Sequence, residues 1–196
     1  MKLKQLLTAI KYRAEQVPDV DITDLVYDSR KAVPGCAFVC LRGANADGHK
    51  YAKTAAEKGA AVIIAEEPVE APVPVILTDN TRLALAYLSA EFFGHPAEQM
   101  HVIGITGTKG KTTTAFMMRS ILEAAGHKTG VIGTIGVLYG DTLVQTDNTT
   151  PENYEVQKFM RQMVDAGCEY CVMEVSSIGL KAVSYTHLTL PTNSLV

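Results

Sequence analysis

The densest chemical signal in this 196-residue sequence is the run Gly104-Ile-Thr-Gly-Thr-Lys-Gly-Lys-Thr112. Glycines let backbone N–H groups close around phosphate oxygens, and a helix starting directly after the loop adds the positive end of its dipole. In such a loop Lys111 reaches the β and γ phosphates of a nucleotide, and the Thr112 hydroxyl coordinates Mg²⁺. The spacing departs from the strict phosphate-loop pattern. Counting back from Gly110-Lys111-Thr112, the first glycine should fall at Ile105, whereas the loop carries Gly107 three residues before Gly110. An ordinary glycine-rich turn is the plainer alternative, and Lys109 within it could simply be solvated.

A second candidate is Glu174, which ends the apolar run Tyr170-Cys-Val-Met-Glu174. A carboxylate near the C-terminal end of a buried strand faces the crevice where α/β sheets take ligands. Burial without a partner is costly; Mg²⁺ is one possible partner, and a salt bridge to Lys or Arg is another. Cys168-Glu-Tyr-Cys171 has the two-residue gap of a zinc or redox site, and Cys36 and Cys40 could complete a set of four. Both pairs sit in apolar, strand-like stretches, so buried free thiols are expected. The histidines His49, His95, His101, His127 and His187 form no metal-binding pair at helical spacing, and none is assigned a catalytic role.

Elements able to position these groups follow from periodicity and turn chemistry. Leu3, Leu6, Leu7 and Ile10 have the spacing of an amphipathic helix. Short strands are expected at Asp24–Asp28 and Ala37–Leu41 around Pro34-Gly35, a helix over His49–Lys58, and strands at Ala61–Ala65 and Pro74–Thr78. Asp79 or Asn80 then caps a helix carrying Leu83, Tyr87, Ala90 and Phe93. The polar stretch 94–99, broken by Gly94 and Pro96, marks a domain boundary. Beyond it, strand His101–Thr106, the glycine loop, helix Lys111–Ala125 and strand Thr129–Thr134 form a βαβ unit with a right-handed crossover. Gly140-Asp141 forms the turn of a hairpin between Val137–Tyr139 and Thr142–Val144. Thr150 is the expected N-cap of the next helix, with Pro151 at its first position and Val156, Phe159, Met160, Met163 and Val164 as its buried stripe. Gly167 ends that helix, and Glu169–Val175 is the following strand.

Composition sets outer limits. The chain is 47% hydrophobic and 20% charged, enough to bury a core. Eighteen Lys and Arg against 21 Asp and Glu give a net charge of −3. That balance argues against a nucleic-acid partner held by bulk charge but leaves room for a local phosphate site. No apolar run approaches the ~18 residues that span a membrane, so a soluble, cytoplasmic protein without membrane insertion is expected.

Thr106-Gly-Thr-Lys-Gly-Lys-Thr-Thr113 resembles the ATP loop of the Mur ligases and their folylpolyglutamate synthetase relatives, which join a carboxylate to an amine using ATP. Asp28-Ser-Arg-Lys-Ala-Val-Pro-Gly35, Phe38-Val39 and Ala46-Asp-Gly-His49 resemble the uridine-binding N-terminal domain of the MurE type. Asp147-Asn-Thr-Thr-Pro151 resembles its muramoyl-substrate loop, and Met173-Glu-Val-Ser-Ser177 its second nucleotide-side motif. These stretches run in family order from Tyr27 to about Leu180. The resemblance implies an α/β protein: a small N-terminal domain over residues 1–96 that binds the UDP moiety, then the first part of a P-loop-type central domain over 97–182 with a mostly parallel sheet.

The resemblance also implies an activity, the ATP-dependent addition of a diamino acid (meso-diaminopimelate or L-lysine) to UDP-N-acetylmuramoyl-L-alanyl-D-glutamate in peptidoglycan synthesis. The γ-phosphoryl of ATP passes to the D-glutamate side-chain carboxylate, and the amine displaces phosphate from the acyl phosphate. ATP and Mg²⁺ are the implied cofactors, UDP-N-acetylmuramoyl-dipeptide and the diamino acid the partners, and a monomer the implied state. Gly107, Thr108, Lys109, Gly110, Lys111, Thr112 and Thr113 are assigned to ATP; Thr112 and Glu174 to the metal; Lys111 and Glu174 to catalysis. Tyr27, Ser29, Ala44, Asn45, Ala46, Asn148, Thr149, Thr150 and Ser176 are assigned to substrate.

Local chemistry offers its own accounts of these positions. Ser29 can present a hydroxyl to a uracil or ribose edge or form a strand-end turn. Backbone groups of Gly43–Gly48, with Asn45, can grip a diphosphate. Asn148, Thr149 and Thr150 can bind an anion or cap a helix. Two features depart from the family. Ile178 stands where MurE-type ligases usually carry a metal-assisting histidine. Ser184-Tyr-Thr-His-Leu-Thr-Leu-Pro-Thr192 resembles translated sequencing adapter, so residues from about Val183 onward are expected to be foreign and the fragment inactive alone. A non-catalytic nucleotide or UDP-sugar-binding module is the alternative from another class. A folylpolyglutamate-synthetase-like ligase leaves the N-terminal segment unexplained, and a P-loop kinase or GTPase favours the strict loop spacing.

Overall fold

The computed structural model describes residues 1–43, 46–146 and 151–176. Ala44, Asn45, Asn148, Thr149, Thr150, Ile178 and the segment from Val183 lie outside the described residues. The chain divides between Phe92 and Phe93 into two compact units.

In the first unit the leucine stripe makes one helical turn, α1 (Leu3–Leu6), and a 3-10 turn over Leu7–Ala9. The chain is already extended at Ile10, so this helix is shorter than its periodicity suggests. Strands β1 (Leu25–Val26) and β2 (Ala37–Val39) follow, then a 3-10 turn over Gly48–Tyr51 that leads into α2 (Ala52–Glu57). Strands β3 (Val62–Ala65) and β4 (Val75–Leu77) and helix α3 (Thr81–Phe92) complete the unit. The four strands form a parallel sheet in the order β1-β2-β3-β4. Every side chain of β2 and β3 is buried, as a continuous apolar run in a sheet covered on both faces requires. Phe38, Cys40, Ile63 and Ala65 pack with Ala52 and Ala55 of α2, while the alternate residues Ala37, Val39, Val62 and Ile64 are buried as well. On α3 Leu85, Leu88 and Ser89 are fully buried and Ala84 and Ala90 nearly so, with Leu83 and Tyr87 only half-buried. Of the two candidate caps, Asn80 accepts the Leu83 N–H at 2.9 Å. Asp79 instead pairs with Arg13 at 3.1 Å.

The second unit contains β5 (His101–Ile105), α4 (Lys111–Ala124), β6 (Thr129–Gly133), β7 (Gly136–Tyr139), β8 (Thr142–Val144), α5 (Asn153–Asp165) and β9 (Tyr170–Glu174). Its sheet has the order β5-β9-β6-β7-β8. The strand that comes last in the described chain is therefore inserted between β5 and β6, parallel to both. Strands β7 and β8 add antiparallel, and Tyr139 faces Thr142 across the predicted Gly140-Asp141 turn. Period-two alternation divides the strands between two layers. Val131 and Val172 pack on Ala115 of α4; Ile132, Cys171 and Met173 pack with Val156, Met160 and Met163 of α5. Helix α5 starts later than Thr150-Pro151 suggests. Glu152 is its extended N-cap, its carboxylate accepting the Asn153 N–H at 3.4 Å, so Pro151 precedes the helix.

All four cysteines are free and buried. Cys36 and Cys40 belong to the core of the first unit, and Cys168 and Cys171 to that of the second. Burial pushes the Cys40 and Cys171 thiols up to about 12, which keeps them protonated and poor metal ligands. Among the described residues no helix is long and apolar enough to cross a membrane. Phe38, among the largest fully buried side chains, anchors the first sheet. Phe38→Ala is expected to cost about 3–5 kcal/mol, measured as a fall in the urea midpoint followed by circular dichroism.

Candidate functional site

The glycine loop connects β5 to α4 at the C-terminal edge of the parallel strands, as a phosphate cradle requires. Gly107 and Gly110 have φ of +152° and +81°, values that L side chains rarely adopt. Gly110 is the N-cap of α4 and makes no side-chain capping bond, so the first amides of a 14-residue helix are not capped by a side chain there. Thr108, Lys109, Gly110 and Thr113 are exposed, Lys111 and Thr112 half-buried. Lys111 folds across the loop, its Nζ donating to the Gly107 carbonyl at 2.8 Å. That places an ammonium over the turn where phosphate charge would sit.

Insertion of β9 beside β5 sets Glu174 opposite Ile105. The carboxylate is 1% exposed. Thr112 Oγ1 donates to Glu174 Oε2 at 3.0 Å, although the two residues are 62 apart in sequence. From the end of β6, Thr134 donates its N–H to Oε1 at 3.0 Å and its hydroxyl to Oε2 at 3.1 Å. The two residues assigned to a metal thus meet. A hydroxyl and a carboxylate are hard oxygen donors that suit Mg²⁺. Ser176 lies two residues past Glu174 at the same edge, half-buried.

Sequence reasoning missed Thr134 and Gly133. A Cβ at Gly133 would lie 2.2 Å from Glu174 Oε1, so the carboxylate occupies space left by a missing side chain. A glycine closing a strand-like run carries no local mark of that contact.

In the first unit, Tyr27, Ser29 and Ala46 follow the C-terminal ends of β1 and β2. Asp28 caps the 3-10 turn Ser29–Lys31, its Oδ1 accepting from Arg30 N at 2.9 Å. The Arg30 side chain returns onto the same carboxylate, with Nη2 2.7 Å from Oδ2. That hydrogen-bonded guanidinium holds the Asp28 carboxyl down at about 2. The Ser29 carbonyl accepts from Lys58 Nζ at 3.0 Å. The Asp-Ser-Arg stretch is therefore a braced turn at the mouth of a parallel sheet, where α/β folds take ligands.

A family model described as the Mur ligase middle domain matches residues 105–193, and one described as the Mur ligase family catalytic domain matches residues 21–93. The chain belongs to the Mur ligase family. The UDP-N-acetylmuramoyl-L-alanyl-D-glutamate--2,6-diaminopimelate ligase of Bacillus licheniformis is 49% identical over 184 residues, covering 92% of this chain and 37% of the relative. A solved structure of a ligase of that name aligns with a TM-score of 0.78 at 20% identity, covering 95% of this chain and 38% of the other, and shows the shared fold. A MurF ligase from Thermotoga maritima, solved in complex with ADP, aligns with a TM-score of 0.55 at 25% identity, covering 77% of this chain and 31% of the other. The chain thus spans under two-fifths of the length of these Mur ligases.

Two outcomes test this geometry. Arg30→Ala should raise the Asp28 titration from about 2 toward 3.8, read by NMR. Because the folded-state value is depressed, the stabilisation is present above about pH 4 and is lost as pH falls through about 2, where variant and wild type should converge. Gly133→Ala should destabilise the second unit by about 1–3 kcal/mol. Adding Glu174→Ala, which removes the colliding atoms, should recover part of that loss in a double-mutant cycle.

Proposed function

We propose that this chain provides the UDP-muramoyl-binding unit, over residues 1–96, and the first part of the ATP-binding unit, over 97–182, of a ligase in peptidoglycan synthesis. The longer parent couples a diamino acid, meso-diaminopimelate or L-lysine, to UDP-N-acetylmuramoyl-L-alanyl-D-glutamate in the cytoplasm, and works as a monomer. The observation that carries this reading is the convergence of Thr112 and Glu174 beside the loop closed by Lys111. The diaminopimelate named for the Bacillus relative and the ADP of the MurF structure support the substrate and nucleotide assignments.

The chemistry asked of these residues is mainly positioning and charge neutralisation. Backbone amides from Gly107 to Thr113 receive the phosphate oxygens of ATP, and Lys111 exchanges the Gly107 carbonyl for the β and γ phosphates. Thr112 and Glu174 would hold Mg²⁺, which when bound neutralises charge that builds on the transferring phosphoryl group. Thr134 keeps the Glu174 carboxylate oriented from behind. Tyr27, Ser29 and Ala46, with Ala44 and Asn45, hold the uridine diphosphate; Ser176, with Asn148, Thr149 and Thr150, holds the muramoyl peptide. Its carboxylate takes the γ-phosphoryl group of ATP, releasing ADP, and the amine then expels phosphate as the amide forms.

Lys111→Ala in the longer parent should lower amide formation by at least about 10²–10³-fold, read as dipeptide-dependent phosphate release. Retention of wild-type turnover would overturn the assignment of the loop. A scaffold role predicts instead that the chain shows no selective affinity for UDP-muramoyl dipeptide in a calorimetric titration.

A further inference from the structure

The turn between β2 and α2 carries a polar cluster that the proposed mechanism does not use. His49 is 8% exposed, and both of its ring nitrogens are engaged. Nδ1 lies 2.7 Å from Asp47 Oδ1, and Nε2 accepts the backbone N–H of Glu66 at 3.0 Å. An amide can only donate, so Nε2 carries the lone pair and the proton of the neutral ring sits on Nδ1, donated to Asp47. Asp47 Oδ1 also accepts the His49 backbone N–H at 3.0 Å. These bonds from His49 hold the Asp47 carboxyl below the usual carboxylate range.

The opposite arm of the turn is tied to the same place. Arg42 Nη1 donates to Glu66 Oε2 at 3.0 Å, and Nη2 lies 3.1 Å from Glu67 Oε2. Glu66 Oε1 accepts the backbone N–H and the hydroxyl of Thr81 at the start of α3, each at 3.0 Å. Arg42 and Asp47 face each other in an isolated antiparallel bridge, and Gly43 N donates to Ala46 O at 2.8 Å. Both arms of the turn are thus pinned to the end of β3. Asp47, His49 and Glu67 offer atoms within 4.8 Å of one another, as a metal trio would. The imidazole, however, has no free lone pair to give a cation.

We propose that His49 is a positioning residue for nucleotide-sugar binding, its Nδ1–H tautomer clamping Asp47 and Glu66 so that the arms of the turn are held in the one arrangement that receives the diphosphate. The proposal rests on the reading that the first unit binds the UDP-muramoyl substrate, and it adds a residue that does not itself touch that substrate.

The test uses the 196-residue chain. Imidazole ¹⁵N NMR at pH 7 should show Nδ1 protonated and Nε2 bare; a proton on Nε2 overturns the clamp. By calorimetry, His49→Ala should bind UDP-N-acetylmuramoyl-L-alanyl-D-glutamate about tenfold more weakly, with ATP affinity unchanged. His49→Gln keeps an acceptor for the Glu66 N–H and His49→Asn keeps a donor for Asp47. Each should fall between alanine and wild type, and they carry the test if the alanine variant does not fold. Folded variants that bind the dipeptide as tightly as wild type overturn the positioning role alone. A wild-type chain that shows the tautomer but binds no dipeptide overturns the UDP reading, and the positioning role falls with it.

Discussion

A carboxylate buried to 1% exposure is the constraint around which the second unit is arranged. Glu174 tolerates its position because Thr112 and Thr134 bring hydroxyls and a backbone amide to it, and because Gly133 leaves space where any Cβ would collide. Each of these contacts follows from placing β9 between β5 and β6. A strand added at the outer edge instead would leave the carboxylate away from either the loop or the β6 end. Topology here does the work that a short local motif does for the phosphate loop.

What was legible in the sequence divides along the same line. The loop, its helix and its strand could be read because glycine spacing, a following helix and a preceding apolar run are all local. The Gly140-Asp141 hairpin and the buried character of the cysteines were legible for the same reason. The meeting of Thr112 with Glu174 was foreseen only as a shared assignment to a metal. Thr134 and Gly133 were not foreseen, since their roles exist only once β6 lies beside β9. Helix faces were legible unevenly: the expected α5 stripe is buried at Val156, Met160 and Met163, whereas of the expected α3 stripe only Ala90 is. On α3 Leu83 and Tyr87 are only half-buried while Ala84, Leu85 and Leu88 are buried, and the helix meets α1 and the Leu7–Ala9 turn. On α5 the Thr-Pro signal gave way to Glu152, whose own carboxylate caps the first amide.

The two units apply one rule with different means. In each, polar groups gather at the C-terminal edge of parallel strands, the edge at which α/β sheets take ligands. The first unit ties its charges together locally: Asp28 with Arg30, and Arg42 with both Glu66 and Glu67. With a net charge of −3, the chain has no general attraction for phosphate. Affinity at such an edge must come from oriented amides and turn geometry. In the second unit the loop adds a single well-placed ammonium, that of Lys111, over its own carbonyl.

Packing also explains how close the loop comes to the carboxylate. Ala115 is the only fully buried residue of α4, and it sits on Val131 and Val172. A methyl side chain at that contact lets the helix approach the sheet closely, where a leucine would hold it off by the width of its branched end. Thr112 lies three residues before Ala115, on the same face of the helix and one turn nearer its start. Pressing Ala115 onto the sheet therefore lowers Thr112 toward the strand ends, within 3.0 Å of Glu174 Oε2. Around the Ala115 contact Phe116, Met118 and Leu122 pack partly buried against the same cluster, while Met117 and Ile121 are 61% and 63% exposed on the far side. The approach of a hydroxyl to a carboxylate is thus favoured by a small residue one turn further along the helix.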